Sequence, residues 1–158
     1  MKALIVYYSM SGNTEYAAGR MAERLGADLL RLEPVKEYPD SGFRKFFWGG
    51  KSAVMAEKPA LKPYRFEADG YDTVIFGFPV WAGNIAPPIR TFISENEMKA
   101  SKYAAFACQS GSGAEKAFGK LKACLGHDLV ETLVLIDPKD KPDPAKDLQI
   151  DAFCDALA

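Results

Sequence analysis

Three short stretches of the chain hold the residue types that could do chemistry. The first is Ser9-Met10-Ser11-Gly12-Asn13-Thr14, where three hydroxyl side chains, a glycine and an amide fall within six positions. The apolar run "KALIVYY" leads into it, and the helix-like "EYAAGRMAERLG" leads out. Gly12 allows a positive φ and close backbone approach, and Asn13 is a natural turn or cap residue. A helix that begins here aims its unpaired N–H groups and the positive end of its dipole at the same spot. Such a loop stabilises an anion without a lysine or arginine. The competing reading is a well-capped helix after an ordinary turn, but a cap needs one hydroxyl and this loop has three. The loop alone does not choose between a nucleotide phosphate, a phosphorylated sugar and a structural sulfate.

The second stretch is "FPVWAGNIAPP". Pro79 ends an apolar run, Val80 and Trp81 follow, and Ala82, Gly83 and Asn84 turn the chain toward Pro87-Pro88. A large aromatic held between rigidifying residues makes a stacking platform, worth roughly 0.5–1.5 kcal/mol beyond area burial. The alternative is that Trp81 packs over the end of a sheet. The third stretch is Gln109-Ser110-Gly111-Ser112-Gly113. Its glycines permit tight backbone whose N–H groups are open to a ligand.

Several other chemistries are excluded. The third loop resembles the opening of G-x-G-x-x-G, but Lys116 stands at the third glycine position. "GGKS" over 49–52 mimics the tail of an ATP phosphate loop, but Lys45 occupies the first glycine position and no strand precedes it. The single histidine, His127, falls at a helix-to-strand turn, and no serine or cysteine sits in a nucleophile-elbow pattern. One histidine and three scattered cysteines give no metal-ligand spacing.

The elements that must position the loops alternate. Residues 2–8, 27–34, 72–79, 102–108 and 128–136 read as strands. Residues 13–26, 88–96, 113–125 and 147–157 read as helices. Ala18, Met21, Ala22 and Leu25 share one face of the first helix, and Gly26 stops it. Strands alternating with helices imply right-handed crossovers and a parallel sheet, and runs such as "TVIFGF" fit a sheet covered on both faces. The expected fold is therefore α/β, a three-layer, doubly wound domain on a five-stranded parallel sheet spanning residues 1–158 as a single domain. In such sheets ligands bind beyond the carboxyl ends of the strands, and all three loops lie there. The connection over residues 36–66 is longer than usual. It is expected to hold a helix near 43–56 and an irregular return from Pro59 to Tyr64. Residues 137–147, "DPKDKPDPAKD", read as a solvated turn into the last helix.

Composition narrows the class of partner. Twenty basic residues face 21 acidic ones, a net charge of −1, so no long-range field draws the chain to nucleic acid or an anionic membrane. The apolar runs fall far short of the ~20 residues of a membrane helix, and the N-terminal pattern is a strand rather than a signal peptide. Cys108, Cys124 and Cys154 are an odd, widely spaced set and read as reduced thiols of a cytoplasmic protein.

The S-x-S-G-N-T loop, the P-x-W loop and the Gly/Ser-rich loop, in this order, resemble the flavodoxin family. The resemblance implies strand order 2-1-3-4-5 and one bound FMN. Carried over, Ser9, Met10, Ser11, Gly12, Asn13 and Thr14 would hold the phosphate. Pro79, Val80, Trp81, Ala82, Gly83 and Asn84 would line the isoalloxazine, and Gln109, Ser110, Gly111, Ser112 and Gly113 would meet its pyrimidine end. The chain departs from the family pattern in three ways: the third loop has no aromatic, the second has W-A-G-N in place of W-G-D, and the chain is nearly neutral. Two function classes follow. The first is an electron carrier between redox partner proteins. The second is a small oxidoreductase moving hydride from NAD(P)H to a quinone or similar acceptor. A lid over residues 41–64, with Phe43, Phe46, Phe47 and Trp48, would favour the second; the same segment also reads as an amphipathic helix packed on the sheet.

Overall fold

A computed structural model describes residues 1–37 and 58–158. Five strands form one sheet: β1 (Ala3–Tyr7), β2 (Asp28–Arg31), β3 (Thr73–Pro79), β4 (Lys102–Gln109) and β5 (Glu131–Ile136). Their order is β2-β1-β3-β4-β5, and every neighbouring pair is parallel. Among the described residues four helices flank the sheet: α1 (Asn13–Leu25), α2 (Pro87–Glu95), α3 (Ala114–Leu125) and α4 (Pro144–Leu157). The expected fold class and strand order are both present.

The strands bury both faces because their side chains alternate. On one face Leu4, Val6, Phe76 and Phe78 pack with Ile89 and Phe92 of α2 and Phe118 and Leu121 of α3. On the other, Ile5, Ile75 and Phe106 pack with Ala17 and Met21 of α1 and Ile150 and Phe153 of α4. Each fully buried side chain of this size contributes about 1.5–3 kcal/mol. Gly77 in β3 is required by this packing, since a Cβ there would lie 2.2 Å from the ring of Phe106.

Three boundaries differ from the sequence reading by three residues, the others by at most one. β2 ends at Arg31, because Leu32 turns into the core and Pro34 forms an isolated antiparallel bridge with Leu61 instead. This bridge organises the otherwise irregular return from Pro59 to Tyr64. β5 starts at Glu131, three residues late: Val130 makes a single bond to β4, its N–H donating to the Tyr103 carbonyl at 2.8 Å, and the paired register begins only at Glu131. α4 starts early, at Pro144, because the Asp143 side chain accepts from the Ala145 N–H at 2.9 Å and caps it. The helix expected near 43–56 and most of the expected lid lie outside the described residues.

Candidate functional site

The loops after β1, β3 and β4 converge at the carboxyl edge of the sheet around a cavity of about 400 Å³. Met10, Ser11, Asn13 and Thr14 line it from the first loop, Pro79, Val80, Trp81 and Ala82 from the second, and Gln109, Ser110, Gly111 and Ser112 from the third. Five of the expected site residues stand behind the wall. They are Ser9, Gly12, Gly83, Asn84 and Gly113, and their geometry shows why.

Ser9 is buried, and its Oγ accepts from the Glu15 N–H at 3.1 Å, so it caps the first turn of α1. Gly12 is the N-cap residue, at φ 98, and its carbonyl accepts from the Tyr16 N–H at 3.0 Å. The first N–H groups of a helix have no partner within it. With the amides of Glu15 and Tyr16 engaged, those of Asn13 and Thr14 are left as donors at the cavity wall, with no acceptor among the described residues.

In the second loop, the Trp81 N–H donates to the Asn84 carbonyl at 3.2 Å and the Asn84 N–H returns a bond to Trp81 at 3.0 Å. Between them Ala82 and Gly83 both have positive φ, 51° and 68°, as a type I′ turn requires. Asn84 faces inward, where its Oδ1 accepts from the Ile85 N–H at 2.9 Å and from Arg90 Nη2 at 2.6 Å. Trp81 is only 9 % exposed and meets Tyr8 edge-on, with ring centroids 5.8 Å apart and planes at 82°. It thus combines the two readings, packed over the sheet end and lining the cavity. Gly113 has φ 108, and a Cβ there would lie 2.9 Å from the Gly83 Cα. The two glycines let the second and third loops touch backbone to backbone.

The Asp137–Asp143 turn is not simply solvated. Asn13 Oδ1 accepts from the N–H groups of Lys139 and Asp140 at 2.9 and 3.1 Å, and its Nδ2 donates to Asp140 Oδ2 at 3.0 Å. Asp137 lines the cavity, at φ 40, and accepts from Ser110 Oγ at 3.0 Å. Asp137 was missed from sequence, whereas Cys108, which borders the third loop in the sequence, also lines the cavity. Burial pushes the Cys108 thiol up to about 12, against a smaller opposing hydrogen bond with Thr14. It is therefore a protonated, inert side chain at neutral pH. His127 is exposed and packs on Tyr103, at 4.9 Å between ring centroids. No group of three or more metal-ligating side chains occurs among the described residues.

The donor set suits a phosphorylated planar ligand. Hydroxyls and helix amides stand at one end, an apolar wall of Pro79, Val80 and Trp81 at the side, and polar backbone with close-approach glycines opposite. Comparison with known proteins decides the family. The sequence matches the family described as flavodoxin over residues 2–139. The chain belongs to the flavodoxin family. Solved structures agree on the fold. A Lactobacillus acidophilus flavoprotein in complex with FMN superposes with TM-score 0.76 at 18 % identity, over 96 % of this chain and 97 % of that one. A chain from Bacteroides eggerthii gives 0.78 at 24 % identity, over 99 % and 97 %. Oxidised flavodoxin 2 from Bacillus cereus gives 0.61 at 21 % identity, over 99 % and 97 %. The flavodoxin-type cavity of this chain, with hydroxyls and helix amides at one end and an apolar wall beside them, fits FMN.

Proposed function

We propose that residues 1–158 act as one FMN-binding domain that carries electrons between redox partners in a reducing compartment such as the cytoplasm. The observation that carries the carrier reading is the size and chemistry of the site. Its cavity of about 400 Å³ lies at the low end of the range for one drug-sized ligand. The neighbouring cavity, between Tyr8, Arg31 and Glu37, is about 150 Å³, too small for a pyridine nucleotide. Among the described residues Asp137 is the one carboxylate that lines the main cavity, and no histidine joins it there. Three free cysteines, two of them buried, support the compartment. Among the described residues no helix is long and apolar enough to cross a membrane.

In this reading Ser11, Thr14 and the amides of Asn13 and Thr14 hold the phosphate. Val80, Trp81 and Ala82 flank the ring system, and the 109–112 backbone meets its polar edge. Bound FMN supplies one- and two-electron redox chemistry, while the protein sets orientation, burial and potential. The NAD(P)H oxidoreductase reading draws on the aromatic linker segment, whose residues 38–57 lie outside the described structure. One experiment separates the readings. The purified chain is expected to bind FMN and turn yellow, and to stay yellow when NADH or NADPH is added without oxygen. Rapid bleaching would establish the oxidoreductase instead, and failure to take up FMN would remove the flavin altogether. Trp81→Ala is expected to weaken FMN binding; an unchanged dissociation constant would take Trp81 out of the site.

A further inference from the structure

The residues of the first loop form an anion cradle with no cation of their own, yet the fold brings a cation to it. Lys139, 126 residues along the chain from Asn13, lies against the loop. A Cβ built on Gly12 would fall 2.7 Å from Lys139 Nζ and 3.1 Å from its Cδ. The ammonium thus rests on the one position of the loop that has no side chain to keep it away. Gly12 is also the N-cap of α1, where the helix dipole places the equivalent of about half a positive charge. A cation at that end is disfavoured unless an anion joins it.

The nearby carboxylates are engaged elsewhere. Glu15 pairs with Arg31 at 3.2 Å, Asp140 accepts from Asn13, and Asp137 accepts from Ser110 and faces Lys141 at 3.8 Å. None lies within ion-pair distance of Lys139 among the described residues. The side chain is not needed to fix its own turn either, because the backbone N–H groups of Lys139 and Asp140 make the bonds to Asn13.

We propose that Lys139 is a phosphate-binding residue of the flavin site. It reaches across Gly12 to supply the counter-charge of the monoester, and it makes the site prefer FMN to riboflavin. The proposal rests on the FMN reading above. A charge-assisted contact to phosphate is among the stronger hydrogen bonds, and its exposure to water makes it sensitive to salt.

The test measures dissociation constants of the full chain for FMN and for riboflavin, by flavin fluorescence, at low and high salt. It compares the native protein with Lys139→Met and Lys139→Arg. Lys139→Met is expected to weaken FMN binding roughly tenfold, leave riboflavin binding unchanged and flatten the salt dependence. Lys139→Arg is expected to keep most of the preference. An equal ratio of FMN to riboflavin affinity in the native and Lys139→Met proteins would overturn the proposal while leaving the FMN site intact. Equal losses for both flavins would overturn it too, marking the lysine as a structural part of the turn. A native protein that binds neither flavin would overturn the FMN reading and this inference together.

Discussion

Asn13 and Asn84 both look, from sequence, like polar groups offered to a ligand, and both turn out to be clamps. Asn13 reaches across the site, and its amide makes three bonds to residues 139 and 140. Asn84 holds Ile85 and Arg90, both within six positions of it, and it is 1 % exposed. The first clamp ties an extended loop to a distant turn. The second holds a tight turn whose central residues, Ala82 and Gly83, are in the left-handed region. The difference teaches what each loop needs in order to be preorganised. The hydroxyl loop needs a second segment to lean on. The tryptophan loop carries its own strain and rests on the half-buried Arg90 beneath it.

Substitutions break this comparison in order of size. Asn84→Ala leaves the Arg90 guanidinium without its 2.6 Å acceptor in a place where its Nε already lacks a partner. Orphaning a charged donor at this half-buried site costs about 2 kcal/mol, so denaturant unfolding is expected to show a loss of that size. A loss under about 0.5 kcal/mol would mean that the second clamp is ornamental. Asn13→Ala severs the tie to the 137–143 turn at a part-exposed position, and a loss of about 1–2 kcal/mol is expected. It is also expected to weaken FMN binding, because the turn that carries Lys139 comes loose. Full FMN affinity in this variant would show that the two segments do not depend on each other. The smallest effect has the opposite sign. Ala82 has φ 51, and a non-glycine residue there costs about 1 kcal/mol. Ala82→Gly is expected to raise the thermal midpoint slightly, whereas a fall would mean that the methyl group packs usefully against the cavity.

The parallel sheet and the three loops were legible because they depend on local pattern, whereas the strand order came from the family resemblance. Apolar runs mark β1, β3 and β4, and glycine, proline and hydroxyl residues cluster where the strands end. Seeing which loops converge needed only the rule that ligands bind beyond strand ends. What escaped was pairing across distance. No spacing within "SMSGNT" says that Asn13 will accept from residue 139, or that Asp137 will reach the cavity beside Ser110. The role of Arg90 was hidden for the same reason, since its contact to Asn84 depends on how α2 folds back under the loop. One miss was avoidable. Asp143-Pro144 is a strong start signal, an acidic cap followed by proline in the first turn, and it places the start of α4 correctly.

The bonds from Asn13 to the 139–140 backbone also set an order of events. They join positions 126 and 127 residues apart, which is among the longest spans this chain can close. Long closures come late, since the entropy of bringing the ends together must be met before the contact returns anything. During synthesis β1 and the hydroxyl loop emerge first, but a nascent chain halted before residue 139 has neither amide for Asn13 to hold. The pocket therefore matures late, and a flavin offered to the growing chain has nothing complete to bind until residues 139 and 140 have reached Asn13.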